Sequence, residues 1–287
     1  MLVFGSVLTL APSQASAAII YATTVNRNLI SFDSATPGTL ISNVAISGLV
    51  NQGAGEQIAG IDFRPFNGGL YAWGNSPGSA YRLYTLNTTT AVATQVGSGS
   101  NTFAGTFWGF DFNPVPDRVR IVNDQDLSIR YHPDTGALVL QDTSLSPSGD
   151  IVAAAYDRND TNVLTATTLF AIDASSDNLV RIGGVDGSPS PNGGLVTTIG
   201  ALGVNTFGET QFDISQGGIA YAALSSGIGA SPSLHTVNLA TGAASLVGTI
   251  GDGSLTGLTG MSALIVPEPS SVMLLGVGLL MGMVRRR

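Results

Sequence analysis

A short motif recurs at nearly even intervals along this chain, and that recurrence restricts the fold more than any other property of it. Gly60-Ile61-Asp62-Phe63-Arg64-Pro65 aligns with Gly109-Phe110-Asp111-Phe112-Asn113-Pro114. Weaker copies are Ala155-Tyr156-Asp157 and Gln211-Phe212-Asp213-Ile214, and a degenerate fifth is Gly260-Met261-Ser262-Ala263-Leu264. The central positions 62, 111, 157, 213 and 262 follow one another at steps of 49, 46, 56 and 49 residues. A period of this size marks a supersecondary unit that buries its faces against copies of itself.

Each copy opens a similar succession of short apolar or alternating runs separated by turn residues, the pattern of strands rather than helices. A second strand is read at Gly69–Trp73, Val119–Asn123 and Gly218–Ala223. Third strands are read at Arg82–Leu86, Ser128–Tyr131, Leu169–Ile172 and Leu234–Val237. Polar turns such as Asn87-Thr88-Thr89-Thr90 and Asp134-Thr135-Gly136 follow them, because Asn, Asp and Gly accept left-handed backbone or bond their own main chain. Fourth strands are read at Ala91–Val96, Leu138–Gln141, Leu179–Ile182 and Ala244–Val247. Four strands per unit is the pattern of a propeller blade. The N-terminal unit (Ile19–Thr23, then Asn28–Phe32) lacks a first strand, and the fifth copy is a first strand with nothing after it. Together they make one blade. The expectation is an all-β propeller of five four-stranded blades, closed by pairing of the N- and C-terminal strands, which leaves no open sheet edge between the ends.

The Asp at the centre of each copy is out of place, since Asp is depleted in strands. Its apolar neighbours point the other way by the period of two, so Asp62, Asp111, Asp157 and Asp213 are expected to form a ring lining the channel. A cation or ligand site is one reading. The other is that each carboxylate accepts hydrogen bonds from a neighbouring blade or from water. The second is favoured, because four carboxylates close together repel unless spread apart or neutralised.

The last residues read Val266-Pro267-Glu268-Pro269, an apolar run Val272–Val284, and Arg285-Arg286-Arg287. The run holds 13 residues, short of the roughly 20 needed to span a bilayer, and the arginines favour the cytoplasmic side. Residues 266–287 resemble the PEP-CTERM sorting segment of exported Gram-negative bacterial proteins, on the strength of Pro267, Glu268, Pro269, the apolar run and the arginine cluster. The resemblance implies recognition and cleavage by an exosortase-type membrane enzyme, transient membrane contact through a short hydrophobic helix at Val272–Val284, and delivery to the cell envelope, cell surface or extracellular matrix. Its usual setting is a bacterium that makes extracellular polysaccharide. A retained membrane anchor is the competing reading. At the other end, Leu2–Leu10 is mostly apolar and Ala15-Ser16-Ala17 fits a small-residue cleavage site, although no Lys or Arg precedes it. The domain reading is therefore a signal peptide at 1–17, a propeller-like domain at 18–265, and a sorting signal at 266–287. A second resemblance rests on Phe110 to Val122 and on Tyr131-His132-Pro133-Asp134-Thr135-Gly136. These segments look like the bacterial family catalogued as domain of unknown function 4394. It implies an exported propeller-like domain and supplies no catalytic residues.

Composition narrows the function. The chain has no Cys and no Lys, so disulfides are absent and all 11 basic residues are Arg. With three of those in the tail, residues 18–266 carry 18 acidic and 8 basic side chains. Nucleic acid and anionic lipid require a basic surface and are not expected partners. With two His and no Cys, zinc is not expected either. His132 and His235 each follow an apolar third-strand residue, which suggests equivalent, structural positions. Asp124 and Asp126, in Asn123-Asp124-Gln125-Asp126, offer the oxygen ligands that Ca2+ takes. They lack the other positions of an EF-hand loop, so an acidic hairpin turn competes. Glu56 and Glu209 are the only Glu residues of the domain, and each precedes a first strand. Trp73, Trp108, Tyr71, Tyr81 and Tyr84 form either a sugar platform at a rim or packing between blades, and the second is preferred.

The expectation is a non-enzymatic exported protein with no catalytic residues, no required cofactor, and a binding or structural role linked to exopolysaccharide or biofilm. The alternative is a secreted polysaccharide hydrolase or lyase on a propeller scaffold. Carboxylates 5–10 Å apart in an open channel mouth would favour the enzyme. An exposed aromatic rim would favour sugar binding, and a sealed channel would favour a structural role.

Overall fold

A computed structural model describes residues 17–264, apart from residues 77, 79, 161, 163, 226 and 228. The first unit contains β1 (Ile19–Thr24), β2 (Asn28–Asp33) and β3 (Leu40–Ala45). The second contains β4 (Gln57–Phe63), β5 (Leu70–Ser76), β6 (Ala80–Leu86) and β7 (Ala93–Gln95), with β8 (Asn101–Thr102) added beside β6. The third contains β9 (Trp108–Asn113), β10 (Arg118–Asn123), β11 (Ser128–Tyr131) and β12 (Leu138–Gln141). The fourth contains β13 (Ile151–Tyr156), β14 (Leu169–Asp173), β15 (Asn178–Ile182) and β16 (Val196–Ala201). The fifth contains β17 (Gln211–Ile214), β18 (Ala220–Leu224), β19 (Ser233–Val237) and β20 (Ala244–Thr249). The last strand, β21 (Leu258–Ala263), pairs antiparallel with β1 and completes the first blade in the order β21-β1-β2-β3.

The result is a five-bladed all-β propeller with antiparallel blades. The inner strands touch in a ring: β21 packs on β4, β4 on β9, β9 on β13, β13 on β17, and β17 on β21. The closure is the one that the incomplete terminal units implied. Among the described residues no helix is long and apolar enough to cross a membrane. The apolar segment Val272–Val284, the sorting residues Pro267 to Arg287, and Ala15 all lie outside the described residues.

Burial follows the position of each strand in its blade. Inner strands such as β13 and β17 are buried at every residue, because neighbouring blades cover both faces. The outermost strands β3 and β20 are exposed at alternating or successive positions. Five apolar clusters fill the five gaps between blades. A four-stranded blade alone would leave these side chains in water, at about 1.5–3 kcal/mol for each large one. Packing between blades, rather than pairing within them, therefore holds the ring.

The Gly of the repeated motif serves that packing. An added Cβ at Gly60 would lie 2.6 Å from Cβ of Phe110, at Gly109 2.7 Å from the Ala154 nitrogen, and at Gly260 2.8 Å from the Ile61 nitrogen. Inner strands converge here, and a side chain would force them apart.

One blade departs from the sequence-based strand order. Leu169–Asp173 is the second strand of the fourth blade, where a third was expected, and Leu179–Ile182 belongs to the third, where a fourth was expected. The long connection from Asp157 to Thr168 joins β13 directly to β14, so the count slips by one strand. The fourth strand is β16, reached through two short 3-10 turns.

Candidate functional site

The motif carboxylates meet on the axis. Asp62, Asp111 and Asp213 are buried, and each places an oxygen within 4.8 Å of the others. Each is bound by a backbone N–H of the next inner strand. Phe112 donates to Asp62 at 2.8 Å, Tyr156 to Asp111 at 3.0 Å, and Ala263 to Asp213 at 2.6 Å. Ser262 continues the series: its hydroxyl accepts from Phe63 N–H at 3.2 Å and donates to Asp62 at 2.8 Å. The motif residue of one blade thus staples the next.

Asp157 is not in this ring. The residue whose successor, Tyr156, bonds the preceding blade is Ala155, so Ala155 occupies the ring position of the fourth blade. Ala155 has no acceptor side chain, and the Ile214 N–H bonds instead to Oδ1 of its neighbour Asp213, at 2.7 Å. Asp157 lies beyond the end of β13. There it accepts from Thr167 Oγ1 at 2.8 Å and Thr168 N–H at 2.6 Å, which shapes the connection to β14. The Asp letter thus recurs two residues past the ring position in this blade.

Burial pushes all three axial carboxyls up. For Asp62 the neighbouring Asp213 charge adds to desolvation, and for Asp111 those of Asp62 and Asp213 do. Asp213 rises to about 6 through desolvation, opposed by the N–H groups of Ala263 and Ile214. Backbone N–H and Ser262 O–H donors offset the repulsion anticipated from the sequence, and the upward shifts express what remains of it together with burial. The oxygens are already occupied by N–H and O–H donors, whereas Ca2+ takes six to eight free oxygen ligands. On the axis beside Gly60, Gly109 and Met261 the free space is about 10 Å³, at the lower limit for one water. The three carboxylates themselves are buried, while the axis widens at one end into a cleft bordered by Gln57, Trp108, Gln211 and Leu258.

The remaining sequence candidates do not converge. Asp124 accepts from Thr106 N–H at 3.0 Å, and Asp126 from Gly149 N–H at 3.2 Å. Among the described residues they belong to no group of acidic or His side chains close enough to share an ion. Glu56 is sealed inside the second blade, accepting from Tyr84 Oη at 2.8 Å and Asn51 N–H at 2.7 Å. Glu209 borders a cleft of about 180 Å³ with Gln57, Phe107 and Gln211, at the end of the ring where the inner strands begin. The two histidines are not equivalent. His132 follows β11 and accepts from Asp134 N–H at 3.2 Å, the turn role of Asn87 and Asn238 elsewhere. His235 lies within β19, opposite Ala222. The aromatics are core. Trp73 stacks on Tyr81 with centroids 5.3 Å apart and receives the edge of Tyr131 at 4.9 Å.

A pocket that sequence reasoning did not assemble lies between the third and fourth blades, at the end where the inner strands finish. It has a volume of about 300 Å³. Its walls include Arg118, Arg120 and Arg130 on one side, and Thr167, Ser190 and Asn192 on the other. Arg120 faces Arg130 across the β10–β11 ladder. Both bond Asp142, Arg130 through two contacts of 2.8 Å, and the Asp142 side chain is 2% exposed. Arg120 also donates to Ser128 Oγ at 2.8 Å and to Asn192 of the facing blade. The available signal was the clustering of three arginines within residues 118–130 of a domain that has eight.

A family model described as Domain of unknown function (DUF4394) matches residues 28–259, and a PEP-CTERM protein-sorting motif matches residues 266–287. No curated protein matches. Among solved structures, a calcium-binding regucalcin from Agrobacterium tumefaciens aligns at 12% identity over 71% of this chain and 66% of its own, with a TM-score of 0.44. A putative 6-phosphogluconolactonase from Bacteroides uniformis aligns at 13% identity over 83% of both chains, with a TM-score of 0.42. The glutaminyl cyclase of Myxococcus xanthus aligns at 12% identity over 72% of this chain and 90% of its own, with a TM-score of 0.41. None is similar enough to lend this chain a site.

Proposed function

Because the chain belongs to the DUF4394 family and carries a PEP-CTERM sorting motif, which implies export to the cell envelope or surface by an exosortase-type enzyme, we propose that it is a non-catalytic component of the extracellular polysaccharide layer. Its role there is structural, with attachment to the polymer through its surface. The observation that supports this reading is the burial of the axial carboxylates. The motif carboxylates of Asp62, Asp111 and Asp213, the most conspicuous chemical groups of the repeat, are buried and spent on stapling blades. The alternative is a secreted polysaccharide hydrolase or lyase, and a hydrolase requires two carboxyl groups flanking a bond in an accessible cleft. Of the two glutamates in the domain, Glu209 borders a cleft and Glu56 is enclosed by Tyr84 and the Asn51 backbone.

The test is a pull-down of the full-length chain with exopolysaccharide from the producing organism, with reducing ends assayed in the same sample. Retention with no new chain ends is expected. New reducing ends would overturn the non-catalytic reading, and failure of the chain to be retained would overturn the polysaccharide role.

A further inference from the structure

We propose that the pocket between the third and fourth blades binds the carboxylate of an acidic sugar unit, so that the polymer this protein attaches to is a uronate-bearing one. The inference rests on the polysaccharide reading above and adds the ligand class and the residue that selects it. Charge is the starting point. The domain is strongly acidic, yet three guanidinium groups line this one pocket, and among the described residues Asp186 is the single carboxylate lining it. Asp186 is already held by Arg158. Arg120 and Arg130 share Asp142, so part of their charge is spent within the fold.

Arg118 is different. Among the described residues its guanidinium donates only to the backbone carbonyls of Pro116, at 3.2 Å, and Asp117, at 2.8 Å. The carboxylate nearest in sequence, Asp117, is turned away from it. Arg64 of the second blade takes both Asp117 oxygens, with Nε at 2.9 Å from Oδ1 and Nη2 on Oδ2. Asp117 sits at a φ of 50°, in the left-handed backbone region. The fold thus commits Asp117 to Arg64, as it does the nearby Asp134, whose charge Arg118 meets without a hydrogen bond, and it anchors Nη1 of Arg118 from behind through main-chain carbonyls. A planar fork held in this way favours two-point recognition of a carboxylate.

The rest of the pocket suits a sugar ring. Val115, Pro116 and Pro191 supply apolar surface, and Asn113, Thr167 and Ser190 supply amide and hydroxyl groups. A volume near 300 Å³ is at the lower end for ligand pockets, the scale of one sugar unit rather than a long oligomer. A sulfated sugar presents the same oxyanion chemistry and is an arm of the test.

The test titrates the full-length chain calorimetrically with an oligogalacturonate, its methyl ester, a sulfated oligosaccharide and a dextran oligomer. Saturable binding of the oligogalacturonate is expected, weakened at least tenfold in the ester and absent with dextran. Arg118→Gln is expected to weaken oligogalacturonate binding at least tenfold with unchanged thermal melting, since Arg118 bonds only backbone. Binding of the sulfated oligomer as tight as that of the galacturonate supports the site as a general oxyanion-sugar site. Equal binding of acid and ester, or the absence of saturable binding by either anionic oligomer, overturns the proposal. So does an Arg118→Gln variant that folds and binds as the wild type does. If that variant fails to fold, the acid–ester comparison on the wild type decides alone. Loss of retention on native exopolysaccharide by the wild type would instead overturn the broader role.

Discussion

Asp111 shows how one side chain serves structure in this ring. Its Oδ1 takes the Tyr156 N–H, and the fold leaves that donor no water to turn to. Asp111→Ala therefore leaves a buried donor unpaired and is expected to cost about 1–3 kcal/mol, measured by chemical denaturation. Asp111→Asn keeps an acceptor while removing a charge that burial disfavours, so at pH 7 it is expected to be at least as stable as the wild type. The same physics sets a pH dependence. The folded-state values of Asp62, Asp111 and Asp213 lie above the ordinary carboxylate value, that of Asp213 at about 6, so the native state binds more protons than the unfolded one between roughly pH 4 and 7. Stability from these groups is complete below the unfolded value and is lost as pH rises through the folded one. Asp134, held down by its bond to Arg64, and Asp173, held down by Ser176 and Ser175 against the opposing effect of burial, act oppositely, and only as pH falls below the ordinary value. A melting temperature that rises from pH 7 to pH 5 and falls below pH 4 is expected. A curve flat between 7 and 5 would contradict the account. These aspartates were legible because an acid inside an apolar strand is anomalous. Asp157 misled because the letter recurs two residues past the position that Ala155 fills, and only hydrogen bonding across the ring separates the two.

At the scale of the element, the inner strands are held by what they lack. Gly109 faces backbone atoms of Ala153 and Ala154, which have little freedom to yield. Gly109→Ala is expected to destabilise by about 1–3 kcal/mol through overpacking, read as a lowered melting temperature with the all-β circular dichroism spectrum retained. Most strands could be placed from alternation and turn residues, because those signals are local. The fourth blade departs from the sequence-based strand order because its extra residues fall between the first and second strands, and no local signal tells which gap an insertion occupies. The basic pocket was invisible for a related reason. Arg118 and Arg120 lie on one side of β10 by the period of two, but Arg130 joins them through the β10–β11 register, and Asn192 reaches Arg120 from another blade.

For the whole molecule, closure is the decisive event. β21 supplies the inner strand of the first blade and packs against both β4 and β17. A chain ending at Thr256 would strip one edge of β1 and open two blade interfaces. It is expected to aggregate or lose cooperative melting, measured by light scattering and calorimetry. Retention of a sharp transition near the wild-type temperature would show that the ring does not depend on this pairing. The periodic motif and the incomplete terminal units by themselves determined the five-bladed architecture and its closure, and the tail alone carried the sorting address, because repeats and addresses are written in contiguous residues. Which carboxylates meet on the axis, that they bind the next inner strand, and that Arg64 takes Asp117 while Arg118 bonds main chain were decided only in three dimensions. Those outcomes depend on contacts between blades, and the residues that make them are set side by side only when the ring closes.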